Sequence, residues 1–271
     1  MLRHKGPLIM LPLSVFIICR DEVDRLELVL ESVKDLTNDI VVVDSGSTDG
    51  TIELAKKYTD RVYHRDWTGF GDQKVCGEEL CKHDWILNLD ADEVVSPELF
   101  IEISEMVKRD PLNIQKSAGF EIAVRMMASL YDRRPPGKLA PTNYTGRFYD
   151  KRYAGFAASS VHDKLYQRSN GSMKFPRLKG EIYHYSIKSY QHMWAKIGSY
   201  SDAQAHEWVS KGRKPRLGLV FFAAPLFFLK HFCLRRLFAL GPRGFVIALA
   251  LSAGRVLREA IAADLYTKRD R

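Results

Sequence analysis

The chain has 271 residues, of which 46% are hydrophobic. That is enough to bury the core of one large domain, or of one domain with an appendage. The formal net charge of +8 arises in the C-terminal part, because residues 211–271 contain 13 Lys and Arg but three acids, whereas the first 210 residues contain 28 basic and 30 acidic side chains. A basic, apolar tail is typical of binding to an anionic membrane surface, and no upstream tract interleaves aromatic and basic residues, so nucleic acid is not an expected partner.

Cysteine usage and the N-terminus bear on the cellular compartment. The four cysteines form no CxxC pair, so we expect reduced thiols in a cytoplasmic protein. The N-terminal segment is basic and then apolar, but its apolar part is short and interrupted by proline. We therefore do not expect a signal peptide there.

Apolar runs alternate with helix-like segments through the first hundred residues. Short links join them, a pattern that predicts a parallel sheet covered on both faces. The predicted strands are Ser14–Cys19, Ile40–Val43, Arg61–His64 and Trp85–Leu89, and the predicted helices are Val23–Lys34, Ile52–Tyr58, Asp72–Cys81 and Pro97–Arg109.

The second half of the chain has weaker patterns. Strands are predicted at 119–127, 147–152 and 178–185, with a mobile loop over Leu130–Thr145. From Ser189 onwards the pattern indicates helices. The sequence therefore predicts a substrate-binding domain over residues 1–187 and a helical, basic region over residues 188–271.

The stretch Trp85–Glu93, WILNLDADE, combines a buried strand with an acidic cluster. Carboxylates at the C-terminal end of a strand lie where open α/β sheets bind ligands. Alternation places Asp90 and Asp92 on the same side of an extended chain. Together they could hold a divalent cation that also holds a phosphate, although a solvated acidic loop would have the same sequence.

Three further side chains are candidates for the same ligand. Asp44 ends an apolar strand, so it should lie at the same sheet edge as Asp90 and could accept a hydrogen bond from a nucleobase or ribose; the alternative is a turn or capping residue. Gln73 and Lys74 follow a glycine-rich turn and could lie near a diphosphate, although the segment has no P-loop motif and could be a plain loop.

Two histidine-containing segments are also candidates. In His162-Asp163, the carboxylate could act as a general base if it reaches a substrate hydroxyl, whereas the alternative is a structural pair. His184 could be a core histidine, or it could contact a metal or a phosphate.

The tail contains two apolar runs between basic clusters. Leu217–Leu229 has 13 residues and Phe245–Ala253 has nine. Because a membrane-spanning helix needs about 20 apolar residues, neither run is predicted to cross a bilayer. Basic flanks favour helices that lie in the membrane interface, and the alternative is a helical cap buried on the domain.

The segments SVFIICRDE, IVVVDSGSTDGT, GFGDQK and WILNLDADE resemble the family 2 glycosyltransferases of the GT-A fold. The later VHDKL and IYHYS resemble the branch of lipopolysaccharide-core β-glycosyltransferases often described as β-1,4-glucosyltransferases. The resemblance covers residues 13–210. It implies an α/β fold with a Rossmann-like, mostly parallel sheet flanked by helices, to which the tail adds a C-terminal helical, membrane-associating appendage.

The resemblance also implies a nucleoside-diphosphate sugar donor, most simply a UDP-sugar, together with Mg²⁺ or Mn²⁺. The chain departs from the family pattern in two places. After the first strand it has Cys19-Arg20-Asp21-Glu22, where relatives have Thr-x-Asn-Glu, and it has Asp163 where relatives carry Glu. Carried over residue by residue, the donor contacts are Glu22, Asp44, Gln73, Lys74 and Asp90, the metal ligands are Asp92 and Asp90, and the base is Asp163. His184 is a further candidate metal ligand, which its own segment suggests.

The predicted activity is transfer of a hexose, with inversion, to a lipopolysaccharide-core or related glycolipid acceptor. The predicted location is the cytoplasm, peripheral on the inner face of the cytoplasmic membrane through residues 211–271. One alternative is a GT-A nucleotidyltransferase, although the acidic, glycine-free segment Arg20–Asp24 does not fit its phosphate loop. Another is a non-catalytic, membrane-associated protein that binds nucleotide sugars. A processive synthase would need several spanning helices and a QxxRW motif, and the sequence has neither.

Overall fold

The computed structural model describes residues 10–109, 117–129, 131–132, 134–157, 164–168 and 175–269. They belong to two compact units, one drawn from Met1–Arg125 and Thr142–Tyr185 and the other from Met126–Pro141 and Ser186–Arg271. The division into a substrate-binding domain over residues 1–187 and a helical region over residues 188–271 stays a prediction.

The first unit is built on an eight-stranded sheet with helices packed on it. Its helices are α1 (Val23–Val33), α2 (Thr51–Ala55), α3 (Phe70–Leu80) and α4 (Pro97–Arg109). The strands of the main sheet are β1 (Ser14–Cys19), β2 (Ile40–Asp44), β3 (Val62–His64), β4 (Trp85–Asp90), β5 (Glu93–Val95), β6 (Gly119–Met126), β7 (Thr142–Asp150) and β10 (Arg177–His184), while β8 (Ala154–Gly155) and β9 (Tyr166–Gln167) form a small separate sheet.

The strands of the main sheet lie in the order β3-β2-β1-β4-β7-β6-β10-β5. Strands β3, β2, β1 and β4 are parallel, whereas β7 is antiparallel to both β4 and β6, and β5 is antiparallel to β10. Ion pairs Arg125–Glu181 and Glu121–Arg177 join β6 to β10 with the same sequence separation of 56 residues, as expected for strands that run in one direction. The predicted α/β fold with a mostly parallel sheet is confirmed.

Alternation along β1 explains why the sheet is covered on both faces. Val15 and Ile17 belong to a core cluster that includes Leu26 of α1, whereas Phe16 and Ile18 belong to a second cluster on the opposite face. All four β1 side chains are buried, which is the pattern expected for a central strand of a doubly covered sheet.

The predicted loop over residues 130–145 is wrong at its C-terminal end, because β7 begins at Thr142. Thr142, Asn143 and Tyr144 pair with β6, but their side chains are polar or partly exposed, so no apolar alternation marks the strand. Strands β5, β8 and β9 were not predicted either. They have two or three residues each, too few to show a period.

Helix α4 lies so close to β10 that Gly180 leaves no room for a side chain. A Cβ atom at this position would be 2.3 Å from the Leu99 Cα and 2.5 Å from its backbone nitrogen. We expect Gly180→Ala to lower the free energy of unfolding by about 1–3 kcal/mol, the usual cost of overpacking. Gly198→Ala is the matched control, since a Cβ there meets nothing within 4 Å. Urea unfolding in which both variants behave alike would contradict the close approach.

The second unit is helical and has a core of its own. Its helices are α5 (Tyr190–Ser210), α6 (Val220–Leu229) and α7 (Pro242–Arg269). Helix α5 packs on α7, where Ser201 Oγ donates a hydrogen bond to the Gly254 carbonyl oxygen over 2.9 Å. Buried side chains of this core include Met193, Leu237 and Ile247.

The helix that contains the first apolar run of the tail extends beyond that run, because a π-helical turn continues it from Lys230 to Leu234. The prediction that this segment is too short to cross a bilayer rested on the 13 residues of the run alone. The whole segment Leu217–Leu234 has 18 residues, a mean hydropathy of 1.9 and only 6% of its residues buried. By length and composition alone it could cross a membrane, and we name it the apolar segment.

Candidate active site

The carboxyl ends of three adjacent parallel strands form the edge at which the candidate residues lie. Strand β1 lies between β2 and β4. Asp44 of β2 pairs with Cys19 of β1, and Asp90 of β4 pairs with Ile18 of β1. Since neighbouring strands lie about 4.8 Å apart, the two aspartates are about 10 Å apart across β1. Both therefore lie at one edge of the sheet, where open α/β sheets bind ligands.

Asp90 is held between two buried cations. Its Oδ1 is 3.2 Å from the Lys74 Nζ, and its Oδ2 accepts a hydrogen bond from the Arg147 guanidinium over 2.6 Å. Lys74 is fully buried beneath the Phe156 ring, with Nζ 5.3 Å from the ring centroid. Burial by itself would raise the pKa of Asp90, but the charges of Arg147 and Lys74 hold that pKa well below its usual range. Asp90 is therefore ionised at neutral pH.

Arg147 occupies a β-bulge, and the sequence gives no warning of it. Between Phe120 and Glu121 of β6, the pairing partner in β7 passes from Phe148 to Gly146, so that Arg147 is an extra residue on its strand. A bulge redirects a side chain, and here the guanidinium donates to Asn88 Oδ1 over 2.8 Å and to Glu93 Oε1 over 2.6 Å, besides Asp90. Arg147 thus joins three polar residues of the WILNLDADE stretch.

Glu93 differs from Asp90 although both contact Arg147. It is only 2% exposed, and its Oε2 accepts a hydrogen bond from the Asp90 backbone N–H over 3.1 Å. Burial raises the pKa of Glu93, and the nearby Asp90 charge adds to this effect, so the attraction of Arg147 does not fully offset them. Glu93 therefore supports the site through its hydrogen bonds, and its carboxyl group loses its proton less readily than an exposed glutamate does.

Asp92 is shared between an arginine and a histidine. Its Oδ2 accepts a hydrogen bond from Arg25 Nη1 over 3.0 Å and lies 3.3 Å from His184 Nε2. Burial opposes ionisation, but the hydrogen bond from His184 and the charge of Arg25 lower the pKa of Asp92. The antiparallel pairing of β5 with β10 sets Glu93 opposite His184, which explains how two distant segments meet here.

Arg25 is the second functional candidate that the sequence interpretation missed. It is 5% exposed, forms a double hydrogen bond with Glu22 and also donates to the Tyr185 carbonyl oxygen over 2.7 Å. The sequence could have indicated its role, because Arg25 lies four residues before Val29 and therefore on the apolar face of α1. An arginine on a buried face needs partners for its charge. Glu22 is thus engaged by Arg25, and its contact with a nucleobase stays a prediction.

Asp44 and Gln73 are directed at neighbouring loops. Asp44 is 1% exposed, and its Oδ2 accepts hydrogen bonds from the backbone N–H groups of Gly46 and Ser47 over 2.8 and 2.9 Å, as in a capped turn. The Gln73 side-chain amide donates to the carbonyl oxygens of Arg65 and Asp66, while its buried Oε1 has no hydrogen-bond partner among the described residues. Donor contacts by Asp44 and Gln73 stay predictions.

The predicted base, Asp163, and its neighbour His162 lie outside the described residues. Their assignment therefore rests on the sequence and stays a prediction.

Asp92 and His184 form the part of the site that best fits a divalent cation. His184 Nε2 lies 3.3 Å from Asp92 Oδ2, both side chains are partly exposed, at 18% and 34%, and a bound cation would replace the hydrogen bond between them. A carboxylate oxygen and an imidazole nitrogen suit a borderline cation whose other ligands are substrate phosphate and water. Asp90 fits less well, since both of its oxygens face cationic side chains. No group of three or more metal-ligating side chains occurs within the residues that the structure describes.

Comparison with known proteins identifies the family. The model of "Glycosyl transferase family 2" matches residues 14–145. An uncharacterized glycosyltransferase of Rickettsia bellii (strain RML369-C) is 34% identical over 258 residues, covering 93% of this chain and 86% of that protein. The lipopolysaccharide core biosynthesis glycosyltransferase LpsC of Rhizobium meliloti (strain 1021) is 29% identical over 265 residues, covering 95% of this chain and 93% of that protein.

Among solved structures, S. aureus TarS 1-349 aligns with a TM-score of 0.42 at 13% identity, covering 96% of this chain and 92% of that chain. The family match lies on β1, β2 and β4, the strands whose ends form the candidate site, and the Rickettsia relative extends the similarity to most of the chain. The chain therefore belongs to glycosyl transferase family 2.

Proposed function

We propose that this glycosyltransferase moves a hexose, with inversion, from a nucleoside-diphosphate sugar, most simply a UDP-sugar, to a lipopolysaccharide-core or related glycolipid acceptor, and that it requires Mg²⁺ or Mn²⁺. The main support is the convergence of Asp90 and Asp92 with His184 at the sheet edge that also carries Asp44. Two segments distant in sequence, at Asp90–Asp92 and at His184, thus contribute acidic and metal-binding side chains to neighbouring positions.

Asp92 and His184 would hold the cation. When bound, such a cation supplies a Lewis acid that offsets the charge growing on the departing diphosphate. Lys74 and Arg147 keep Asp90 ionised and fixed, so that this carboxylate can accept hydrogen bonds from donor hydroxyls. The chain's own contribution is therefore to orient the donor and to place charge before the reaction begins.

The acceptor hydroxyl attacks the anomeric carbon from the face opposite the diphosphate. The new bond from this oxygen to the anomeric carbon forms as the bond to the diphosphate oxygen breaks, and Asp163 accepts the hydroxyl proton. A single displacement without a protein nucleophile converts an α-linked donor into a β-glycoside.

The assignment of the base has a direct test. We expect Asp163→Asn to leave the dissociation constant of the UDP-sugar unchanged and to lower the transfer rate by about 10²–10⁴-fold, the usual contribution of a general base. Asp163→Glu, which restores a carboxylate, should retain much of the activity. Normal turnover by the Asn variant would assign the proton transfer to another group.

The acceptor class is proposed from the similarity to LpsC together with the properties of the tail. Phe221 and Phe222 in the apolar segment are 83% and 73% exposed, and the net positive charge of the chain arises in residues 211–271. Exposed aromatic side chains next to basic clusters suit an anionic membrane surface. We therefore place the protein in the cytoplasm, at the inner face of the cytoplasmic membrane, where a glycolipid acceptor would be accessible.

Donor class and reaction type can be tested together. Thermal-shift screening with UDP-, GDP- and CMP-sugars, with and without Mn²⁺, should reveal stabilisation by UDP-sugars that depends on the cation. Transfer onto truncated lipopolysaccharide acceptors should then yield a β-glycoside. Binding without transfer or donor hydrolysis would favour the non-catalytic alternative, and synthesis of a sugar nucleotide from a nucleoside triphosphate would favour the nucleotidyltransferase.

A further inference from the structure

A cavity of about 700 Å³ lies within the second unit. Its walls come from the end of α5, the connection 211–216, the beginning of the apolar segment and the C-terminal half of α7. The volume falls within the range of about 300–1,000 Å³ that is usual for ligand sites.

One wall of this cavity is strongly basic. Arg213, Lys214 and Arg216 of the connection and Arg255 of α7 line it, against the single acid Glu259. The Glu259 Oε2 already accepts a hydrogen bond from the Arg216 backbone N–H over 3.1 Å. Within residues 175–269, none of the four cations is joined to a carboxylate by an ion pair of 4.0 Å or less. The cavity therefore has an excess of positive charge that an anion would neutralise.

The opposite wall is apolar and belongs to the segment that we place at the membrane. Trp208 lies beside it, with its ring 5.5 Å from the Arg213 guanidinium and 3.9 Å from that of Arg258. Tryptophan and arginine are typical of the boundary between lipid headgroups and acyl chains. The apolar segment contributes Leu219, Val220, Ala223 and Ala224 to the lining, and α7 adds Val256.

We infer that this cavity binds the phosphomonoester headgroup of an anionic lipid. A phosphomonoester carries more negative charge than a phosphodiester, which matches four cations set against one acid, and guanidinium groups form paired hydrogen bonds with phosphate oxygens. The apolar wall would accommodate the beginning of an acyl chain. A free phosphate has no apolar part that could contact this wall. This site goes beyond sugar transfer and does not depend on the chemistry at Asp92.

Vesicle binding of the full chain tests this inference. Phosphatidylcholine vesicles containing phosphatidate are compared with vesicles containing phosphatidylglycerol at the same zeta potential. The wild-type protein should bind the phosphatidate vesicles about tenfold more tightly, and Lys214→Gln/Arg216→Gln should abolish that preference. The control Arg235→Gln/Arg243→Gln removes two exposed cations of the same unit that do not line the cavity, so it should weaken binding to both vesicle types equally.

Three results would overturn the lipid site. In the first, the wild-type protein binds the two vesicle types equally well. In the second, the cavity variant keeps the preference for phosphatidate vesicles. In the third, inorganic phosphate stabilises the protein thermally but phosphatidate vesicles are not preferred. All four substituted residues are exposed, and matching thermal unfolding curves verify that the variants are folded. Transfer to a soluble truncated acceptor should be the same in both double variants, which separates this inference from the proposed sugar transfer.

Discussion

Replacing Arg147 by Met is expected to lower the free energy of unfolding by about 3–5 kcal/mol, the range found when one partner of a buried ion pair is removed. The guanidinium is 5% exposed and neutralises Asp90 and Glu93 at once. Without it, two carboxylates would remain in a buried position, and Asn88 would lose a hydrogen-bond donor. Urea unfolding monitored by circular dichroism measures the loss.

An exposed arginine of the same sheet gives the control. Arg177 pairs with Glu121 over 3.0 Å, but its side chain is 59% exposed, so Arg177→Gln should cost at most about 1 kcal/mol. Adding Glu93→Gln to Arg147→Met should recover part of the loss, since it removes one of the unpaired charges. Equal, small effects of Arg147→Met and Arg177→Gln would mean that the buried network does not contribute to stability.

Replacing Asp92 by Asn is expected to reduce the rate of sugar transfer by about 10³-fold, because a metal ion stabilises such a transition state by several kcal/mol and each 1.36 kcal/mol is a factor of ten. The amide keeps the shape of the side chain but lacks its charge, so it binds a divalent cation poorly. Arg25 retains Glu22 and the Tyr185 carbonyl as partners, which should keep the variant folded.

A second carboxylate–imidazole pair in the same unit is the matched control. Asp66 lies 3.1 Å from His64 Nε2, but its side chain is 96% exposed, and Asp66→Asn should leave transfer and UDP affinity unchanged. Calorimetric titration with UDP in the presence and absence of Mn²⁺ completes the test. The metal assignment would be refuted by an Asp92→Asn protein that binds UDP with wild-type affinity in Mn²⁺.

The parallel half of the sheet could be predicted because each of its elements shows its own local period. Strands β1, β2 and β4 are apolar runs, of which β2 and β4 end in aspartate, and apolar residues recur at helical spacing along α1. Asp90 and Asp92 were therefore recognisable from the sequence alone. Their partners were not all recognisable, because those partners are determined by pairing between distant segments.

Arg147 shows the limit most clearly. Its inward direction depends on the shift in register between β6 and β7, and no local pattern in the sequence encodes that shift. The full length of the apolar segment was underestimated for a different reason. Lys230 interrupts the apolar count, yet a lysine can extend its charged end to water while its backbone continues the helix.

The sharing of each buried guanidinium by two carboxylates restricts how these positions can change over evolutionary time. Arg147 contacts Asp90 and Glu93, and Arg25 contacts Glu22 and Asp92. Loss of either arginine leaves two acidic side chains without their shared counterpart, so a tolerated substitution of an arginine has to be accompanied by a change in its own trio. We expect positions 90, 93 and 147 to covary among relatives, and positions 22, 25 and 92 to form a separate covarying set.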